Sequence, residues 1–229
     1  MLKRLILFLL LPWPAWAGDL LYPVPYKQLL ALPHRVAGFE TLPPKVEPGY
    51  ELDAPLRFPG LWIGERLAGQ GVAVAEVDGG RFDKLTGTPE PPLRIRAGAP
   101  KQPMAVALHR GLGSNALFPV GPDGIAARSG RGEGATALLF DVDELALGLR
   151  LHAEYADPLG IRPPPGHVVF TFYDRRGAVL DVLDLTPHPG VIALAWYFLA
   201  PVAAVTVETN DPGGIVLDDI LTLTDPPLG

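Results

Sequence analysis

From Val36 onward the chain is a succession of short β-forming runs, each closed within a few residues by glycine, proline, asparagine or aspartate. The clearest are VAVAEV (72–77), MAVALH (104–109), ATALLFDV (135–142), LGLRLHAEY (147–155), HVVFTFY (167–173), AVLDVLDL (178–185), VIALAWYF (191–198), AAVTVET (203–209) and IVLDDILTL (215–223). Many short strands with turn signals between them, and almost no helical periodicity, predict an all-β sandwich or barrel. The 27 prolines and 26 glycines agree, because loops and edges absorb them and central strands do not. HVVFTFYDRRGAVLDVLDL reads as a hairpin that turns at residues 174–177, with Arg175 and Arg176 as solvated turn residues. Residues 79–103 and 110–134, rich in glycine, proline and charge, read as long loops over one end.

The first seventeen residues, MLKRLILFLLLPWPAWA, have a basic start, an apolar core too short to span a bilayer comfortably, and a small-x-small ending. They predict a cleaved signal over 1–17, hence an exported protein, secreted or periplasmic, with no transmembrane anchor after cleavage. Residues 18–35 read as an N-terminal arm with a short helix-compatible piece from Tyr26 to Leu32, and 36–229 as one β-sandwich domain.

Composition narrows the chemistry. The net charge is -6, and about -8 once Lys3 and Arg4 are gone; no basic block exists to track phosphates, so no nucleic-acid partner is expected. With no cysteine there is no disulfide framework, thiol nucleophile or thiolate metal site. Neither serine, Ser114 or Ser129, lies in a G-x-S-x-G elbow, and the five histidines show no metal-ligand spacing; His109 and His152 read as surface or edge residues. A glycan-active hydrolase would need two facing carboxylates, for which Glu65, Asp83, Glu133, Asp141, Asp143, Glu144 and Glu154 are candidates. FDVDEL (140–145) lacks the glycine and distal glutamate of an EF-hand loop and reads as a charged strand end.

Asp218 and Asp219 stand out because they interrupt the apolar run GIVLDDILTL. In a period-2 strand one of them shares a face with Val216 and Ile220, the other with Ile215, Leu217 and Leu221. Such a carboxylate must be paired, hydrogen-bonded or metal-bound. Calcium, a hard cation, suits this position, with Glu40 as the partner carboxylate.

The blocks GEGATALLFDVDELALGLRL, HVVFTFYDRRGAVLDVLDL and ETNDPGGIVLDDI resemble the β-sandwich ectodomains of bacterial exported proteins, including those of PEP-CTERM type; IGERLAGQ (63–70) resembles a block in a subset of them. Phe39-Glu40 near the start and Asp218-Asp219 near the end are similar to the opening and closing pairs of jelly-roll carbohydrate-binding modules. That resemblance implies an antiparallel β-sandwich of jelly-roll type with one structural calcium on Glu40 and Asp218, and Asp219 as a ligand or neighbour. It implies a non-catalytic binding or extracellular-matrix module, with polysaccharide or matrix components as partners. Trp62, Trp196 and Tyr197 are the aromatic candidates for stacking on sugar rings, Trp196 lying in a core-like run.

Overall fold

The computed structural model describes residues 20–98, 104–153 and 166–224. In chain order its elements are β1 (Leu21–Pro23), α1 (Tyr26–Leu30), β2 (His34–Ala37), β3 (Tyr50–Leu52), β4 (Leu56–Phe58), β5 (Leu61–Gly64), β6 (Arg66–Leu67), β7 (Gly71–Val77) and β8 (Gly80–Thr86). There follow β9 (Ile95–Arg96), β10 (Met104–His109), β11 (Ser114–Pro119), β12 (Thr136–Ala153), β13 (Val168–Tyr173), β14 (Val179–Leu185), β15 (Gly190–Thr209) and β16 (Ile215–Leu223). The chain is all-β, and its strands pair antiparallel.

Two long strands run through both layers of the sandwich. The first half of β12 pairs with β5 and with the second half of β15, which in turn pairs with β13, and β13 with β14. The second half of β12 pairs with the first half of β15 and with β16; from there the layer continues through β11, β10 and β3, with β2 on β16 and β1 on β15. The change of layer occurs at two staggered bulges. Residues 140–143 of β12 oppose only Ala203, and residues 198–201 of β15 oppose only Leu145. Extra residues on one strand bend it and increase its twist, which carries the pair from one layer to the next.

The main core lies between the layers. Leu138 and Phe140 from one half of β12 meet Leu147, Leu149 and Leu151 from the other, together with Phe170, Phe172, Val205, Val207, Ile215 and Leu217. The outer faces are covered too. Leu67 and Leu93 close over Ala137, Leu139, Tyr173 and Ala204 of the first layer, and α1 sets Leu29 on Ala146, Ala195, Leu221 and Leu223 of the second. Five residues make too short a helix to persist alone, so α1 depends on this docking.

The expected hairpin is present as β13–β14, and its turn glycine, Gly177, has φ +82°. Arg175 is not merely solvated: it reaches back to Asp143 and to the Phe140 carbonyl at the β12 bulge. The segments read as long loops instead contain β8 and β9 within 79–103 and β11 within 110–134. β8, GRFDKLT, has no apolar alternation because it pairs only with β7 in a separate two-stranded sheet. The signal segment 1–17 and the junction at 154–165 lie outside the described residues. No helix among the described residues is long and apolar enough to cross a membrane.

Candidate functional site

The paired aspartates sit at a third bulge. β16 matches Leu221 to Gly148 and Asp218 to Arg150, so it carries one residue more than β12 over that interval. Asp219, at φ +47°, is where the backbone departs from the strand. The extra residue resets the alternation: Ile215, Leu217 and then Ile220 face the main core, while Val216, Leu221 and Leu223 face outward clusters.

Asp218 is fully buried and accepts two hydrogen bonds, one from the Ser114 hydroxyl at 2.5 Å and one from the Asp219 N–H at 2.8 Å. Burial pushes its pKa up to about 6; the Ser114 bond opposes this, and the Asp219 and Glu40 carboxylates reinforce it. Asp219 turns its carboxylate to Arg150 at 3.1 Å. Glu40 is exposed. Both Asp218 oxygens and one from Asp219 are therefore engaged by protein donors, and among the described residues no three His, Asp or Glu side chains are grouped to hold a metal ion.

The carboxylates proposed as hydrolase candidates separate into two kinds. Asp141 and Asp143 are surface partners of Arg57 and Arg175. Glu65, Asp83, Glu133 and Glu144 are buried, each less than a tenth exposed. Glu154 lies outside the described residues. Burial is the largest cause in each case that raises Asp83 and Glu144 to about 7 and Glu133 to about 8. For Asp83 the Glu65 carboxylate comes next, with the Ala135 N–H opposing; Glu208, not foreseen from the sequence, adds to the rise. Glu65 and Asp83 are brought together, each only 2% exposed, with Asp83 at the inner wall of the cleft beside the β7–β8 hairpin.

His109 and His152 are not surface residues. Their ring centres lie 4.5 Å apart with the planes tilted by 50°, His109 is buried, and burial lowers both pKa values, that of His109 to about 4. The Leu112 N–H donates to His109 Nδ1 at 3.1 Å, so that nitrogen serves as the acceptor of a neutral ring.

Of the three aromatic candidates, two are committed to packing. Trp196 lies in the main core against Phe170 and Phe172, and Tyr197 packs in the cluster around α1. Trp62 is 38% exposed. On β5 the inward positions are Leu61 and Ile63, which leaves Trp62 on the outer face of the first layer between Arg57 and Leu139 on the neighbouring strands. It lines an open groove of about 350 Å³ with Pro55, Leu93, Arg94, Ile95 and Leu139. The Arg57 guanidinium lies over the indole, 4.9 Å from the ring centre, and is held there by Asp141 at 2.6 Å and by the Phe58 and Leu61 carbonyls. A second cleft, of about 370 Å³, lies between the β7–β8 hairpin and the His167–Asp184 and Glu208 side of the same layer.

No protein-family model matches the chain, and no curated protein matches it. Among solved structures, two variants of the family 29 carbohydrate-binding module CBM29-2 are similar over 54% of this chain and 78% of theirs, at 13% and 14% identity, each with a TM-score of 0.33. A third variant, complexed with mannohexaose, is similar over 52% of this chain and 74% of its own, at 12% identity and a TM-score of 0.32. Likeness at this level assigns no family.

Proposed function

We propose that the protein is a non-catalytic carbohydrate-binding module that holds a saccharide on the outer face of its first layer, at Trp62. The observation behind this reading is the exposed indole in a groove with one guanidinium over its ring and another, that of Arg94, in the lining. A pyranose has an apolar C–H face that packs on an aromatic ring and a rim of hydroxyls that pair with fixed donors and acceptors. Apolar surface from Leu93, Ile95 and Leu139 beside Trp62 supplies the first requirement, and Arg57 and Arg94 supply donors for the second. The burial of both members of the Glu65–Asp83 pair argues against the hydrolase alternative.

The test is calorimetric titration with a panel of neutral hexasaccharides from glucan, mannan and xylan, on the wild type and Trp62→Ala. Binding of at least one, lost in the variant without a change in melting temperature, is expected. No binding across the panel, or equal binding by Trp62→Ala, would overturn the reading. The module is further read as exported, on the build of residues 1–17, with extracellular polysaccharide as its partner. N-terminal sequencing of the protein purified from its own cells checks this, the expected first residue being Gly18.

A further inference from the structure

The β7–β8 hairpin is a sheet of its own. β7 is exposed or half-buried along its whole length, and in β8 only Phe82 and Asp83 are buried. The hairpin is seated along the free edge of β8. There the Asp83 N–H donates to the Glu133 carbonyl at 3.0 Å, and the Leu85 N–H donates to Glu208 Oε1 at 2.8 Å. The Asp83 carboxyl lies in that seam. Its Oδ2 receives the Ala135 N–H at a long 3.4 Å, and its Oδ1 is shut off from solvent with no hydrogen-bond partner.

The charges around Asp83 come from every side of the seam. Glu65 and Arg66, themselves an ion pair, lie at the β5–β6 junction; Glu208 comes from β15 and is paired with Lys84 of β8 at 3.3 Å. At the turn end of β8, Arg81 pairs with Asp123 at 2.6 Å on the surface, and the Glu133 side chain sits among Asp123, Asp211 and Arg131. Glu65 and Glu208 oppose a charge on Asp83, and Arg66, already engaged by Glu65, offsets this only in part. A neutral carboxyl tolerates such a seam. An ionised one has one oxygen without a donor and two carboxylates nearby, and moving into water relieves both.

We propose that the β7–β8 hairpin is a proton-latched flap, closed while Asp83 is protonated and released when Asp83 ionises against Glu65 and Glu208. The latch is set at neutral pH, since burial followed by Glu65 holds Asp83 at about 7. Opening frees one proton wherever the closed form is protonated and the open form, an ordinary carboxyl of pKa about 4, is not, so it rises up to about tenfold per pH unit between about 4 and 7 and levels off above 7. The flap supplies Ala75, Val77, Phe82, Asp83 and Lys84 to the second cleft, opposite His167, Val169 and Asp184. Opening therefore dismantles that cleft, and whatever it holds is retained in acid and let go as the pH approaches neutrality. None of this depends on the carbohydrate reading.

Amide hydrogen exchange on the full chain, at pH 5, 6, 7 and 8 with times scaled for base catalysis, reads the latch directly. Amides 72–85 are expected to lose protection by up to about tenfold per unit between pH 5 and 7 and to change little above it while residues 204–207 keep theirs, and Asp83→Asn is expected to hold the hairpin closed throughout. Should Asp83→Asn fail to fold, Glu65→Gln takes its place, and because Glu65 holds the Asp83 pKa up, the fall in protection is expected to level off at a lower pH. Hairpin protection that does not fall in the wild type, or falls equally in the variant, overturns the proposal.

Discussion

The Tyr26 hydroxyl donates to the backbone carbonyl of Asp219 at 2.8 Å, tying α1 to the bulge in the last strand across 193 positions of sequence. The same ring lies against Gly148, where an added Cβ would come within 2.9 Å of Tyr26 Cε2. The helix, the glycine and the bulge thus form one unit.

Tyr26→Phe removes a single partly buried hydrogen bond and keeps the packing, so a loss of about 1 kcal/mol is expected in urea unfolding. Gly148→Ala drives a methyl into the ring and is expected to cost more, about 1–3 kcal/mol. The two losses should not add, because both act by loosening the same helix.

Asp218→Ala leaves the Ser114 hydroxyl and the Asp219 N–H without their acceptor in a buried site, and a loss of about 1–3 kcal/mol is expected. Because those bonds already occupy both carboxylate oxygens, thermal melting of the wild type is expected to be the same in chelator and in millimolar calcium. A calcium-dependent rise that disappears in Asp218→Ala would show that Glu40 and Asp219 swing inward to complete a site.

Between pH 6.5 and 8 the protein should become less stable. Asp83, Glu144 and Glu133 have folded pKa values raised to about 7, 7 and 8, so in this window the folded state holds protons that the unfolded state has lost. Stability then falls as pH rises, by about 1–3 kcal/mol per pH unit. The lowered His109 acts the other way, but only between about pH 4 and its unfolded value near 6.5. Urea unfolding at half-unit steps checks the slope, and Glu133→Gln should make it shallower.

Arg57→Ala frees one face of the Trp62 indole and removes the donor lying over it. If the guanidinium takes part in recognition, as proposed, saccharide affinity measured by calorimetry should fall several-fold while the melting temperature stays within a few degrees. Unchanged affinity would confine recognition to the ring and Arg94.

The strands between 167 and 223 were legible because their apolar alternation is strong and their turns carry Asp, Gly and Pro. The continuity of β12 and β15 was not. Asp141 and Asp143 in one, and Pro201 in the other, look like strand ends, yet the chain stays extended through bulges whose charges find Arg57 and Arg175. β8 was hidden for a different reason: it buries only Phe82 and Asp83, neighbours that point to opposite faces, so no alternation is written into its sequence. Trp62 was named as one of three aromatics, and only burial separates it from Trp196 and Tyr197. The seam at Asp83 had no local signal, since its surroundings are assembled from positions 65, 133 and 208. The aspartate pair was rightly marked as anomalous, but a strict period of two could not express a residue that breaks the period.

Because β12 and β15 thread both layers, their order of synthesis governs when anything else can settle. Strands β1 and β2 find hydrogen-bond partners only in β15 and β16, and β5 gains its inner neighbour only with β12. A ribosome that has made the first 135 residues has therefore released a chain whose opening strands have nowhere to dock. While hairpins such as β7–β8 and β10–β11 can already close, β1 and β2 wait, unpaired, for β15 and β16, and any factor that shields nascent apolar segments would find its substrate there.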